Sequence, residues 1–155
     1  MNTELEITNL TDKLKNIKTH KDVPYFNFDN KSFIAKPCKI YDGDTFSVII
    51  DYKGELIKYR CRCIGYDTPE MRPSLKKPNR DKEKELALIA KNKMIELLEA
   101  HPSKLITIKC LKFDKYGRIL ITAYNNIDER SINDIMVEEG YGKKYDGGKK
   151  NTTWV

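Results

Sequence analysis

Three short blocks concentrate carboxylates and arginines at spacings that could do chemistry: Asp42-Gly43-Asp44-Thr45, then Arg62 with Asp67-Thr68-Pro69-Glu70, then Asp114-Lys115-Tyr116-Gly117-Arg118. Two converging carboxylates suit a hard cation such as Ca2+ or Mg2+, with backbone carbonyls and waters filling its other positions. Asp44 and Asp67 are the candidate pair, and the Thr68 carbonyl is placed to add an oxygen. Glu70, three residues beyond Asp67, can hold or deprotonate a water next to such a metal. A fixed arginine presents its guanidinium fork to phosphate oxygens. Arg62 and Arg118 across a metal would neutralise charge on a phosphate that becomes five-coordinate. Lys115 and Tyr116 suit contact with a base or a phosphate beside the site. Taken singly, each block also reads as a turn, a loop, a helix cap or a surface ion pair.

Such residues act together only if the chain brings them to one place. Ser32 to Tyr41, Thr45 to Ile50 and Leu56 to Ile64 are strand-like runs separated by the turn signals Asp42-Gly43 and Lys53-Gly54, so residues 32–64 predict a three-stranded antiparallel meander. In a meander, Asp44 before one strand and Asp67 after the next can lie side by side. A basic, proline-punctuated loop follows over 65–80, with Lys76 and Lys77 as candidates to steer a polyanion. A helix is expected from about Asp81 to Ala100, with an apolar stripe of Leu86, Ala90, Met94 and Leu97 widened by Ile89 and Leu98. Leu105 to Phe113 and Ile119 to Tyr124 predict a hairpin, and Ser131 opens a short helix that Gly140 ends. Three strands, a helix, two strands and a helix match a five-stranded OB-type Greek-key barrel, an α+β and mainly β fold with two or three helices.

The 155 residues fit one domain, and no apolar run approaches the roughly 20 residues of a membrane span. With no signal peptide visible at the start, the expected location is intracellular. Two histidines alone, His20 and His101, disfavour a multi-His metal site or a His general base. The net charge is +6; residues 1–30 carry −1, so residues 31–155 carry +7 and the positive charge sits on the body. A polyanion such as DNA or RNA suits that balance, and nothing calls for an obligate protein partner, so a monomer is expected. Late lysines Lys143, Lys144, Lys149 and Lys150 extend the positive surface. Cys38, Cys61, Cys63 and Cys110 make no C-x-x-C pair and are expected to be free thiols, with Cys61 and Cys63 on opposite sheet faces. Leu5, Leu10, Leu14 and Ile17 suggest a short, weakly capped amphipathic helix that ends by Pro24, within an extension over residues 1–30 that packs on the body or stays mobile.

At the three blocks the chain resembles the staphylococcal nuclease (thermonuclease-like, SNase) family, with the motifs in the family's order over about residues 33–146 and Arg62 five residues before Asp67. Gly140 to Lys143 is similar to a glycine-containing segment of that family. The resemblance implies a five-stranded OB barrel and a calcium-dependent phosphodiesterase that cuts DNA and RNA and leaves 3′-phosphate ends, with Mg2+ or Mn2+ as other metals its oxygen ligands allow. It implies Asp44, Asp67 and the Thr68 carbonyl as metal ligands and Glu70 as the water-positioning or basic group. It further implies Arg62 and Arg118 as phosphate-binding arginines, and Lys115 and Tyr116 on the substrate side. The chain departs from the family's best-known member in a longer hairpin between Asp44 and Arg62, in Asp146 where that member has a tyrosine near the nucleotide, in having no room for a third C-terminal helix, and in lacking a secretion signal. The alternative is an OB-fold module that binds nucleic acid or a protein without cutting, and a third reading is an adaptor that works through its N-terminal extension.

Overall fold

The computed structural model describes residues 3–150, 153 and 154. The meander forms as the alternation predicts: β1 (Ser32–Ile40), β2 (Thr45–Tyr52) and β3 (Glu55–Cys63) pair antiparallel in order. Along β2, Phe46, Val48 and Ile50 all point into the core. The β2–β3 turn places Lys53 and Gly54 at φ 52° and 90°, the paired positive angles of a tight hairpin turn. A two-residue strand β4 (Tyr66–Asp67) follows, then α2 (Arg80–Leu98), the hairpin of β5 (Ile106–Phe113) and β6 (Ile119–Tyr124), α3 (Ile132–Glu138) and a second two-residue strand β7 (Lys143–Lys144) that pairs with β4.

The five long strands close into a barrel in the order β1-β2-β3-β6-β5, the OB arrangement expected, with α2, α3 and an N-terminal helix α1 (Glu4–Lys15) outside it. Closure has two seams. One is antiparallel between β5 and β1. The other is the parallel pairing of β3 with β6, only Cys61–Ile119, Arg62–Leu120 and Cys63–Ile121 long. Asn133 of α3 fastens it: its Nδ2 donates to the carbonyls of Ile64 (2.8 Å) and Ile121 (3.1 Å), and its Oδ1 accepts the Ala123 amide (2.9 Å).

The far end of the barrel is stoppered by aromatics. Phe28 is fully buried, with Phe26, Phe33, Tyr52 and Tyr59 edge-on around it at centroid distances of 4.8–5.5 Å. The stretch read as an extension therefore supplies one of the largest core side chains. Its helix differs from expectation. Thr3 and Glu6 make a reciprocal capping box, the helix stops at Lys15, and none of its residues is buried.

Two further expectations are corrected. Residues i and i+2 of a strand face the same way, so Cys61 and Cys63 both enter the core while Arg62 between them points out. Burial pushes the Cys63 thiol up to about 12 and Cys110 to about 11; only Cys38 is exposed, and all four are free. The buried face of α2 runs through Glu83, Ala87, Ala90, Met94, Leu97 and Leu98, leaving Ile89 exposed and Leu86 half-buried. The stripe is extended toward the helix start by Glu83, a buried glutamate that Lys77 and the Glu70 amide satisfy.

Candidate active site

The turn before β2 is built by Asp42, whose Oδ1 accepts the amides of Asp44 (3.0 Å) and Thr45 (2.8 Å). That turn aims the Asp44 carboxylate across β3. Thr45 and Arg62 are register partners, so Arg62 rises beside Asp44 and meets its Oδ1 at 2.6 Å. Arg62 Nη2 also reaches the carbonyl of Tyr66 (3.3 Å) and Asp67 Oδ1 (3.4 Å). Asp67 is held there by the β4–β7 ribbon, and Gly142, just before β7, packs so closely on it that a Cβ would lie 2.7 Å from the Tyr66 ring and 3.0 Å from the Asp67 carbonyl. Thr68 ties the two aspartates together: its amide (3.3 Å) and hydroxyl (3.1 Å) donate to Asp44 Oδ2.

Arg118 approaches from the other hairpin. Asp114 in the β5–β6 turn grips its Nε at 2.6 Å and accepts its amide, which leaves Arg118 Nη1 facing the Thr45 hydroxyl at 3.5 Å. The Thr45 hydroxyl in turn donates to Asp44 Oδ1 (2.8 Å), so one chain of contacts runs from Arg118 through Thr45 and Asp44 to Arg62. Glu70 is exposed at the mouth, and its amide donates to Glu83 Oε2 (3.0 Å). Asp44, Arg62, Asp67, Thr68, Glu70 and Arg118 line one cleft of about 650 Å³.

Lys115 and Tyr116 do not line that cleft; they stand beside it, with the Tyr116 ring 72% exposed and 5.3 Å from the Arg118 guanidinium. Lys77 does not steer a polyanion freely, because it is ion-paired with the buried Glu83. Lys150 extends the cleft wall and sits 3.6 Å from Asp67 Oδ1. Three supports escape a reading of spacing alone: Asp42, Glu83 and Asp114. Asp114, four residues before Arg118, carried a usable signal. Glu83, a carboxylate at the head of the row Ala87, Ala90 and Met94, carried another.

The charges do not balance evenly. Burial raises the Asp44 carboxyl, but the Arg62 guanidinium outweighs it and holds Asp44 below the ordinary range. Asp67 is farther from Arg62, and burial together with the Asp44 charge keeps it raised. The same two causes push Asp42 up to about 7. Asp44 and Asp67 thus share Arg62, at 2.6 and 3.4 Å, while Asp42 stands close behind Asp44. Two carboxylates plus a carbonyl are the oxygen donors a hard cation prefers. Among the described residues no three His, Cys, Asp or Glu groups gather as a metal cage, so such an ion would keep several waters.

A closed five-stranded barrel with a polar cleft at one rim defines an OB-fold protein. The staphylococcal nuclease homologue family model matches residues 60–153, more than half the chain, and the chain belongs to that family. The matched stretch contains Arg62, Asp67, Thr68, Glu70 and Arg118; Asp44 lies before it and joins them in space. No curated protein matches the chain. Among the described residues no helix is long and apolar enough to cross a membrane.

Proposed function

We propose that the chain is a metal-dependent phosphodiesterase that hydrolyses DNA or RNA by in-line attack of water and leaves 3′-phosphate ends. One observation carries this reading: two carboxylates, a free-standing glutamate and two arginines from four separate chain segments line a single cleft. Asp44, Asp67 and the Thr68 carbonyl are the groups that would hold a divalent cation, with Ca2+ first and Mg2+ or Mn2+ as substitutes the oxygen set accepts. When bound, the cation supplies charge neutralisation and makes a coordinated water more acidic. Glu70, exposed at the mouth, takes the proton from the attacking water. Arg62 and Arg118 approach from opposite sides, and their guanidinium forks receive the non-bridging oxygens as negative charge builds at phosphorus. Asp114 keeps Arg118 pointed inward, and Glu83 keeps the Glu70 loop from drifting. Tyr116 and Lys115 meet the substrate outside the cleft. The four unbridged thiols fit a reducing, intracellular setting.

The test is a cleavage time course on single- and double-stranded DNA and RNA with each metal and with chelator, run beside Glu70→Gln and Arg118→Ala. Each variant is expected to lose on the order of 10²-fold in rate or more, and chelator is expected to abolish cleavage. Wild-type rates in both variants, or tight binding with no cleavage under any divalent metal, would leave a binding module in place of an enzyme.

A further inference from the structure

The outer face of the meander next to the cleft carries cations that the barrel's own carboxylates do not neutralise. Alternate residues of β3 share a face and recur about every 6.8 Å, so Arg62, Arg60 and Lys58 form one file that starts in the cleft and runs toward the β2–β3 turn. Across β2, Lys39 and Arg60 flank Ser47, and Lys36 and Lys58 flank Ile49. None of Lys36, Lys39, Lys58 and Arg60 forms an ion pair among the described residues. Some exposed cations elsewhere are ion-paired, as Lys82 is with Glu85 and Arg130 with Asp128 and Glu138; what sets this face apart is that its cations lie in register beside the cleft.

Tyr41 organises this face. Its ring lies under the Arg60 guanidinium (4.6 Å to the centroid) and the Lys39 ammonium (5.0 Å), and its hydroxyl accepts from Arg60 Nη2 at 3.2 Å. Hydrogen bonding with Ser47 and then Arg60 draws the phenol below its usual range. Tyr41 borders both the catalytic cleft and a shallow groove of about 500 Å³ that holds Lys39, Lys58 and Arg60, so the two are continuous.

We infer that this groove is an extended strand-binding track, in which Arg60 and Lys58 hold successive phosphates of a single-stranded nucleic acid whose scissile bond lies at Arg62, with Lys39 flanking the Arg60 position. The inference rests on the nucleic-acid reading of the cleft and adds to it the direction in which the strand leaves. The file suits a phosphodiester chain because its cations recur at a repeat that successive phosphates of an extended strand can follow, and because a flexible polyanion gains from each contact by releasing counterions. Tyr41 is a positioning residue here: its ring and hydroxyl both engage Arg60, so it orients that guanidinium.

The test reads binding in chelator, where no cleavage can occur. A 15-nucleotide single strand is titrated into wild type and into the Lys58→Gln/Arg60→Gln double variant across a salt series, with thermal melts to show that both are folded. The expected result is roughly tenfold weaker binding at low salt and a log–log salt slope shallower by about 1.4, or about 0.7 for each cation removed. Lys58→Arg/Arg60→Lys should restore the slope. An unchanged affinity and slope would overturn the track. An equal loss on polyglutamate of matched charge would overturn it too, and assign the face to an acidic polypeptide. A protein that binds through this face yet cuts nothing under any metal would sink the nuclease reading and leave the track standing.

Discussion

Asp42 is first a turn former, since its Oδ1 takes the amides of Asp44 and Thr45. Its charge is a separate matter. Burial and the neighbouring Asp44 raise its pKa to about 7, from an ordinary 3.8. A carboxyl raised in the folded state keeps a proton that the unfolded chain has released. Stability from this group is therefore full below about pH 4 and is lost as pH climbs toward 7. Asp42→Asn keeps the acceptor oxygen and removes the charge. In chelator the variant should match wild type near pH 4 and exceed it by roughly 1–4 kcal/mol at pH 8. Urea melts from pH 4 to 8 check this, and parallel curves for the two proteins would refute it.

Between elements, a second close approach is at Gly43, on the turn that delivers Asp44. A Cβ there would lie 2.8 Å from Thr68 Cγ2 and 3.0 Å from the Ala90 Cβ of α2. Its carbonyl also accepts the hydroxyl of the buried Tyr66 at 2.8 Å. Gly43→Ala should push Thr68 and α2 away from the turn, cost about 1–3 kcal/mol as overpacking does, and cut the rate on nucleic acid by more than that loss of stability explains. Melts and kinetics on the same sample separate the two effects; full activity with lowered stability would show that the contact is only structural. The long strands were legible because alternation and the turn dipeptides at 42–43, 53–54 and 116–117 are local signals. The motif residues were legible too, as types and spacings. The β4–β7 ribbon was not, because strands of two residues have no period. Glu83 and the extended face of α2 were hidden for another reason: a buried carboxylate is allowed only by partners, Lys77 and the Glu70 amide, that the helix does not itself contain. The capping box at Thr3 and Glu6, and the shared face of Cys61 and Cys63, were both within reach of simple rules.

At the scale of the molecule, the positive body of the chain resolves into two uses. Some cations are consumed by carboxylates inside the fold, as Lys77 and Arg118 are, and among those left unpaired a group lies in register on the β1–β3 face. The barrel itself depends on its short parallel seam, since β3 and β6 share only three register pairs. Asn133→Ala removes three hydrogen bonds there and strands the Ala123 amide without its side-chain partner. A destabilisation of about 2–4 kcal/mol is expected in urea melts, and a change under 0.5 kcal/mol would show that the seam holds without it.

That seam also sets when the cleft comes into being. Arg62 stands on β3 and Arg118 just before β6, and the pairing that joins these strands links residues 61–63 to residues 119–121. Such a distant closure comes late in folding, since loop entropy must be spent before the contact returns anything. During synthesis the first hairpins, with Asp44, Arg62, Asp67 and Glu70, leave the ribosome well before Arg118 and Asn133. A growing chain therefore displays half a cleft, with no second arginine, while its own message is still threaded beside it. Whatever the completed cleft does to a phosphate polymer, the protein does it only after β6 has been made and has closed on β3.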